Sequence, residues 1–79
     1  MSTKNLTNSP WQTRVKKIIK VEMLTHDISY EQLSELMRAA GIDESPGALK
    51  TKINRGTFSA AFMLQVLDVI GCKLSVERE

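Results

Sequence analysis

Side chains that can contact phosphate groups and base edges cluster in one short segment of this 79-residue sequence. Placing residues 45–56 on a helix, at about 100° per residue, turns Leu49 and Ile53 inward. The same geometry turns five residues outward: Gly47, Lys50, Thr51, Asn54 and Arg55. Lysine, threonine, asparagine and arginine are the residue types that bind phosphates and base edges. Because the segment contains no aspartate or glutamate, its outer face suits a polyanionic partner; the alternative is an ordinary surface helix.

Charge is unevenly distributed along the chain. The formal charge is +5 over residues 1–20, −5 over residues 21–49 and +3 over residues 50–56, and the whole chain carries +2. A fold that brings the two basic segments together would create one positive face, whereas two separately solvated helix faces would not. Three lysines of the first segment are expected to solvate the back of the molecule, the alternative being that they flank a nucleic-acid backbone: Lys16, Lys17 and Lys20.

A single histidine and a single cysteine limit the chemistry available to the chain. With one cysteine, Cys72, and one histidine, His26, the chain can make neither an intrachain disulfide nor a structural zinc site. His26 is expected to be exposed in a polar connection, and Cys72 to act as a small apolar residue. No acid–base pair, phosphate-binding loop or dinucleotide motif is visible, so the sequence predicts no enzymatic activity, no metal site and no cofactor.

Four amphipathic helices must position the outward-facing segment. Each is preceded by a serine that can cap it: Ser9, Ser29, Ser45 and Ser59. The predicted helices run from residue 10 to about 24, from 30 to about 40, from 46 to 55 and from 60 to 70. A glycine follows each of the last three and can adopt the left-handed conformation that ends a helix. The sequence therefore predicts a compact all-α, four-helix domain over residues 9–79, preceded by a flexible arm over residues 1–8.

The apolar spacing also predicts which residues form the core. Seven are expected to pack together: Leu33, Leu36, Leu49, Ile53, Phe62, Val66 and Ile70. Trp11 is expected to anchor the head of the first helix in this core. Glu22 projects from the apolar face of that helix, which places it either near an edge of the core or beside a cation. Residues 72–76 alternate in polarity, as a short C-terminal strand or a tail laid on the core would.

No apolar run is long enough for a membrane span, and the first ten residues lack the apolar region of a secretory signal. The expected location is therefore cytoplasmic, with no membrane partner.

From residue 29 onward, the sequence resembles the helix-turn-helix domains of phage-repressor type. Residues 29–34 read SYEQLS, residues 53–56 read INRG, and a fourth amphipathic helix ending in glycine follows. The chain is also similar to a small uncharacterised bacterial family related to that fold, through the segment KINRGTFSAAF at residues 52–62. The resemblance covers residues 10–76. The stretch between Leu33 and Gly56 is longer than in the repressors, so the turn is not their tight one.

The resemblance implies that residues 45–55 form a recognition helix and that the start of the second helix touches phosphate. The expected DNA contacts are then Tyr30, Gln32, Ser45, Gly47, Lys50, Thr51, Lys52, Asn54 and Arg55. It also implies a small bacterial or mobile-element transcriptional regulator that binds double-stranded DNA as a homodimer. The alternative is a protein-interaction adaptor that keeps the helix-turn-helix scaffold without binding DNA, using the acidic surface of the second helix.

Overall fold

The chain folds into four α-helices, as seen in a computed structural model that describes residues 9–78. They are α1 (Pro10–Thr25), α2 (Tyr30–Ala39), α3 (Pro46–Arg55) and α4 (Ala60–Ile70). These bounds confirm the predicted all-α class and the four predicted helices. The arm predicted for residues 1–8 lies outside the described residues. Within residues 9–78, no helix combines the length and the apolar character needed to cross a membrane.

Each helix begins where the sequence places a capping serine. The side chain of Ser45, for example, accepts a hydrogen bond of 3.1 Å from the backbone N–H of Ala48. At Ser29 there is a second hydrogen bond, because the Gln32 side chain also accepts from the Ser29 backbone N–H at 2.8 Å. Such caps satisfy backbone donors that a helix start leaves unpaired, and each is worth about 0.5–2 kcal/mol.

The core lies where α1 and α2 each pack against both α3 and α4. Its buried apolar residues are Ile19, Met23, Leu33, Met37, Leu49, Ile53, Phe62, Val66, Leu67 and Ile70. Leu49 and Ile53 therefore pack the inner side of α3 into the core, as predicted. The opposite side of α3 is left on the surface, where the candidate site lies.

The connection between α2 and α3 is ordered by hydrogen bonds to α2. The buried Ser34 hydroxyl donates to the backbone carbonyl of Glu44 at 2.6 Å, immediately before the cap of α3. The Ile42 backbone N–H donates to the Met37 carbonyl at 2.8 Å. The connection that leads into α3 is therefore tied to α2.

The prediction that Trp11 anchors the core is wrong, since its side chain is 70% exposed. The physical reason is angular. The buried residues of α1, Ile19 and Met23, define a narrow stripe, and Trp11 lies about 80–120° away from it around the helix. Its ring instead lies 5.1 Å from the Arg14 guanidinium.

The prediction that Leu36 belongs to the core is also wrong, because Leu36 is 38% exposed. On α2 the buried side is defined by Leu33, Ser34 and Met37. Because the Ser34 hydroxyl is buried against the connection, the side of α2 that carries Ser34 faces the core. Leu36 then lies at the edge of the buried side of α2.

The possible C-terminal strand is absent from the part of the chain that the structure describes. Of the tail, Cys72 packs against the core, but Leu74 and Val76 are 56% and 89% exposed. The tail is therefore not laid on the core beyond Cys72. A strand needs a partner for its backbone donors and acceptors, and none of the residues 9–78 supplies one.

Candidate nucleic-acid interface

The outer side of α3 presents a small set of exposed residues. They are Gly47, Lys50, Thr51, Lys52 and Arg55. Within residues 9–78, the side chains of Lys50, Thr51 and Arg55 have no hydrogen-bond or ion-pair partner. These three side chains therefore lie on the surface, in the outward position that the sequence predicts.

Lys52 is engaged with other parts of the protein. Its ammonium forms an ion pair with the Glu44 carboxylate and lies 5.2 Å from the centre of the Phe62 ring. The ion pair links α3 to the connection that precedes it, and the ring contact links α3 to α4. Lys52 therefore lies on the flank of α3, and its charge is largely neutralised there.

Asn54 is half-buried and contacts α1, which differs from its predicted outward position. Its amide nitrogen donates to the Lys50 carbonyl at 2.8 Å, and its amide oxygen accepts a hydrogen bond from Lys20. Its backbone carbonyl accepts one from Lys16 at 3.3 Å. A cation at this carbonyl is favourable because the last carbonyls of a helix carry partial negative charge.

These contacts bring the two basic segments of the sequence together. Lys16 and Lys20 of α1 lie beside the end of α3 that carries Arg55. Lys16 and Lys20 therefore contact α3, and of the two positions expected for these lysines, simple solvation of the back of the molecule is not the one observed. Lys17 differs, since it lines a separate surface of α1 with Arg14 and Ile18.

The start of α2 adjoins the same region through a shallow groove, which is lined by Lys20, Tyr30 and Gln32 together with the acidic Asp27 and Glu31. The Tyr30 side chain is half-buried against the core. Gln32 is exposed, with its amide oxygen used by the cap and its amide nitrogen unpaired among the described residues.

A second grouping of chemically active side chains was missed by the sequence analysis. The Cys72 thiol donates to a Glu22 carboxylate oxygen at 3.2 Å, and its sulfur lies 3.8 Å from Nε2 of His26. The same two atoms of Glu22 and His26 are 3.6 Å apart. Glu22 and His26 are one turn apart at the end of α1, and Cys72 follows the last turn of α4. The only signal in the sequence was the acidic residue on an apolar helix face.

Glu22 raises the pKa of the Cys72 thiol. The hydrogen bond from the thiol to the carboxylate, partial burial and repulsion between the two negative charges all raise the pKa of Cys72 above its ordinary value. A raised pKa lowers the fraction of thiolate, the nucleophilic form of cysteine. Glu22 therefore contacts His26, just after α1, and Cys72 of the tail.

Comparison with known proteins places the chain in a family. Neither the curated proteins nor the solved structures contain a match, and no phage-repressor family matches. A family model described as "Domain of unknown function (DUF6471)" matches residues 11–75, which includes all four helices except the first residue of α1. The predicted membership in an uncharacterised family is confirmed, and the relation to repressors stays a prediction. The chain belongs to the DUF6471 family.

Proposed function

We propose that this protein is a double-stranded DNA-binding module, of the kind found in small bacterial or mobile-element transcriptional regulators, in which α3 contacts the duplex. The observation that carries the proposal is the outer side of α3, where Lys50, Thr51 and Arg55 are exposed and unpaired within residues 9–78. No acidic residue interrupts α3. An α-helix with its side chains is about 10–12 Å in diameter and therefore fits the major groove, which is about 12 Å wide.

Contacts of α3 with α1, and of the connection before α3 with α2, support this role. Lys16 and Lys20 reach the end of α3 from α1, so that charges from two helices can face one phosphate backbone. The Ser34–Glu44 hydrogen bond ties the start of α3 to α2. The longer turn can therefore still present α3 in a single orientation.

The proposed contacts divide by chemistry. Lys50 and Thr51 lie nearer the middle of α3 and are assigned to base edges, while Arg55 at the end of α3 is assigned to a phosphate. At the edge of the surface, Gly47 leaves room for close approach, and Tyr30, Gln32 and Ser45 are assigned to the phosphate backbone. Lys52 and Asn54 support the surface through their contacts with Glu44 and α1.

Fluorescence anisotropy of a labelled mixed-sequence duplex, titrated at two salt concentrations, tests the proposal. We expect salt-dependent binding that Arg55→Ala weakens, with the slope of log K against log salt reduced by about 0.9. Lys50→Ala should weaken binding to a selected DNA site by about 1–3 kcal/mol, which is the contribution of one base contact. The matched control is Lys17→Ala, which removes the same charge from the separate surface of α1.

The proposal fails if wild type shows no salt-dependent binding, or if Lys17→Ala weakens binding as much as Arg55→Ala. The first result favours the second candidate, a protein-interaction adaptor. One observation supports that alternative: Glu31, Glu35 and Asp43 are exposed around α2 and the following connection, where they could meet a basic partner.

We also propose that the protein acts as a homodimer, because one module of this size contacts only a short DNA segment. Leu64 of α4 and Leu74 of the tail line one surface and are 48% and 56% exposed. A second copy would bury both across a two-fold axis.

Sedimentation velocity at micromolar concentration tests the dimer. We expect a dimeric mass for wild type and a monomeric mass for Leu64→Glu, since a buried unpaired carboxylate would oppose association. Leu24→Glu is the matched control, because Leu24 is 81% exposed on α1 and lines a different groove. A monomeric wild type, or a dimeric Leu64→Glu variant, would contradict the proposed interface.

A further inference from the structure

Three potential metal-binding atoms meet where the end of α1 approaches the end of α4. They are a carboxylate oxygen of Glu22, Nε2 of His26 and Sγ of Cys72, and the ligand atoms of the three side chains all lie within 4.8 Å of one another. The three residues come from two places in the chain, since Cys72 is 50 residues after Glu22. Their approach is therefore a product of the packing of α1 against α4.

The spacing of these atoms matches a tetrahedral metal site. Bonds of about 2.3 Å to sulfur and about 2.0–2.1 Å to nitrogen and oxygen, as zinc makes, hold pairs of ligand atoms about 3.4–3.6 Å apart. The observed separations are 3.2 Å for sulfur to oxygen, 3.8 Å for sulfur to nitrogen and 3.6 Å for nitrogen to oxygen. An ion could bind all three atoms after shifts of a few tenths of an ångström.

The donor types point to a particular class of ion. A thiolate together with an imidazole and a carboxylate suits zinc and similar divalent transition metals, whereas calcium and magnesium prefer oxygen ligands alone. Glu22 and His26 are four residues apart on a helix, a spacing that places two ligands on one face. Three protein ligands with an open fourth position are typical of exchangeable or catalytic zinc sites.

The site is accessible from solvent. The side chains of His26 and Glu22 are 41% and 35% exposed, and Cys72 is half-buried. An ion could enter without unfolding the domain, and water could occupy its fourth position. On binding, the Cys72 thiol releases its proton to solvent and coordinates as thiolate.

We propose that Glu22, His26 and Cys72 form a binding site for one divalent transition-metal ion of the zinc type, which bridges the end of α1 to the segment after α4. The bridge joins elements that are remote in sequence. Metal binding therefore stabilises the folded chain in proportion to the logarithm of the free metal concentration above the dissociation constant.

The test uses the full chain freed of metal and titrated with Co²⁺ and Zn²⁺ in the absence of DNA. We expect one equivalent of Co²⁺ to give a sulfur-to-cobalt charge-transfer band that Zn²⁺ abolishes by displacement. Cys72→Ser should remove that band, and His26→Gln and Glu22→Gln should each weaken Zn²⁺ binding by about tenfold or more, measured against a chromophoric chelator. Zn²⁺ should also raise the thermal midpoint of wild type and leave that of Cys72→Ser unchanged.

Glu35→Gln is the matched control for Glu22→Gln, because Glu35 is exposed on α2 and does not belong to the cluster. The three ligand side chains are partly exposed, so circular dichroism should show the same helix content in every variant. The proposal is overturned if no charge-transfer band forms, or if Glu35→Gln weakens Zn²⁺ binding as much as Glu22→Gln. Neither result depends on whether the protein binds DNA.

Discussion

Leu49→Ala is expected to lower the free energy of unfolding by about 2–5 kcal/mol. Leu49 is fully buried in α3, so truncation removes apolar contacts and leaves a cavity that the four helices can only partly close. A small domain with a total stability of about 5–15 kcal/mol would lose a large part of it. Chemical denaturation followed by circular dichroism measures the loss.

Leu36→Ala is the matched control, since it makes the same chemical change in α2 at a position that is 38% exposed. Its cost should be clearly smaller, because part of the Leu36 side chain is in water in both states. Equal losses of unfolding free energy for the two variants would contradict the different burial of Leu49 and Leu36, and with it the packing of α3 into the core. A loss at Leu49 alone supports the orientation that places Lys50, Thr51 and Arg55 on the surface.

Gly56→Ala is expected to destabilise the protein by about 2–5 kcal/mol, through two separate effects. Gly56 has a φ of +69°, where a side chain costs about 1–2 kcal/mol. A Cβ at this position would also lie 2.7 Å from the backbone carbonyl oxygen of Gln12. Because that oxygen belongs to the first turn of α1, α1 and α3 would have to move apart.

Gly41→Ala separates the two effects. Gly41 has a φ of +86°, and no atom lies within 4 Å of an added Cβ, so this variant carries only the conformational cost. The difference between the two unfolding free energies, measured by denaturation, then reports the clash with Gln12. If the two variants were equally stable, α3 would not pack against the start of α1 as described, and the approach of Lys16 and Lys20 to Asn54 would lose its basis.

The starts and ends of the helices were predictable because they depend on residues close together in the sequence. Ser29 and Gln32 are three residues apart and satisfy each other's backbone donors in any context where a helix forms. The inner face of α3 was predictable for a similar reason, since the spacing of Leu49 and Ile53 repeats with the helical period.

The expectations that failed concern how far each helix face extends into the core. Trp11 and Leu36 lie on the apolar sides of their helices, but packing selects only the part of each side that meets a neighbouring helix. On α2, the buried Ser34 occupies a position that a hydrophobic pattern alone assigns to the surface. Hydrophobic periodicity gives the direction of a face, whereas its width depends on the partner helices.

The sequence by itself determined the four helices, their serine caps and the acid-free outer face of α3, because these follow from local hydrogen bonding and helical period. Only the tertiary structure decided that Asn54 turns to α1 and that Cys72 meets Glu22 and His26. Each of these contacts joins residues more than thirty positions apart. Their distance depends on how whole helices pack, a property that no local pattern of residues encodes.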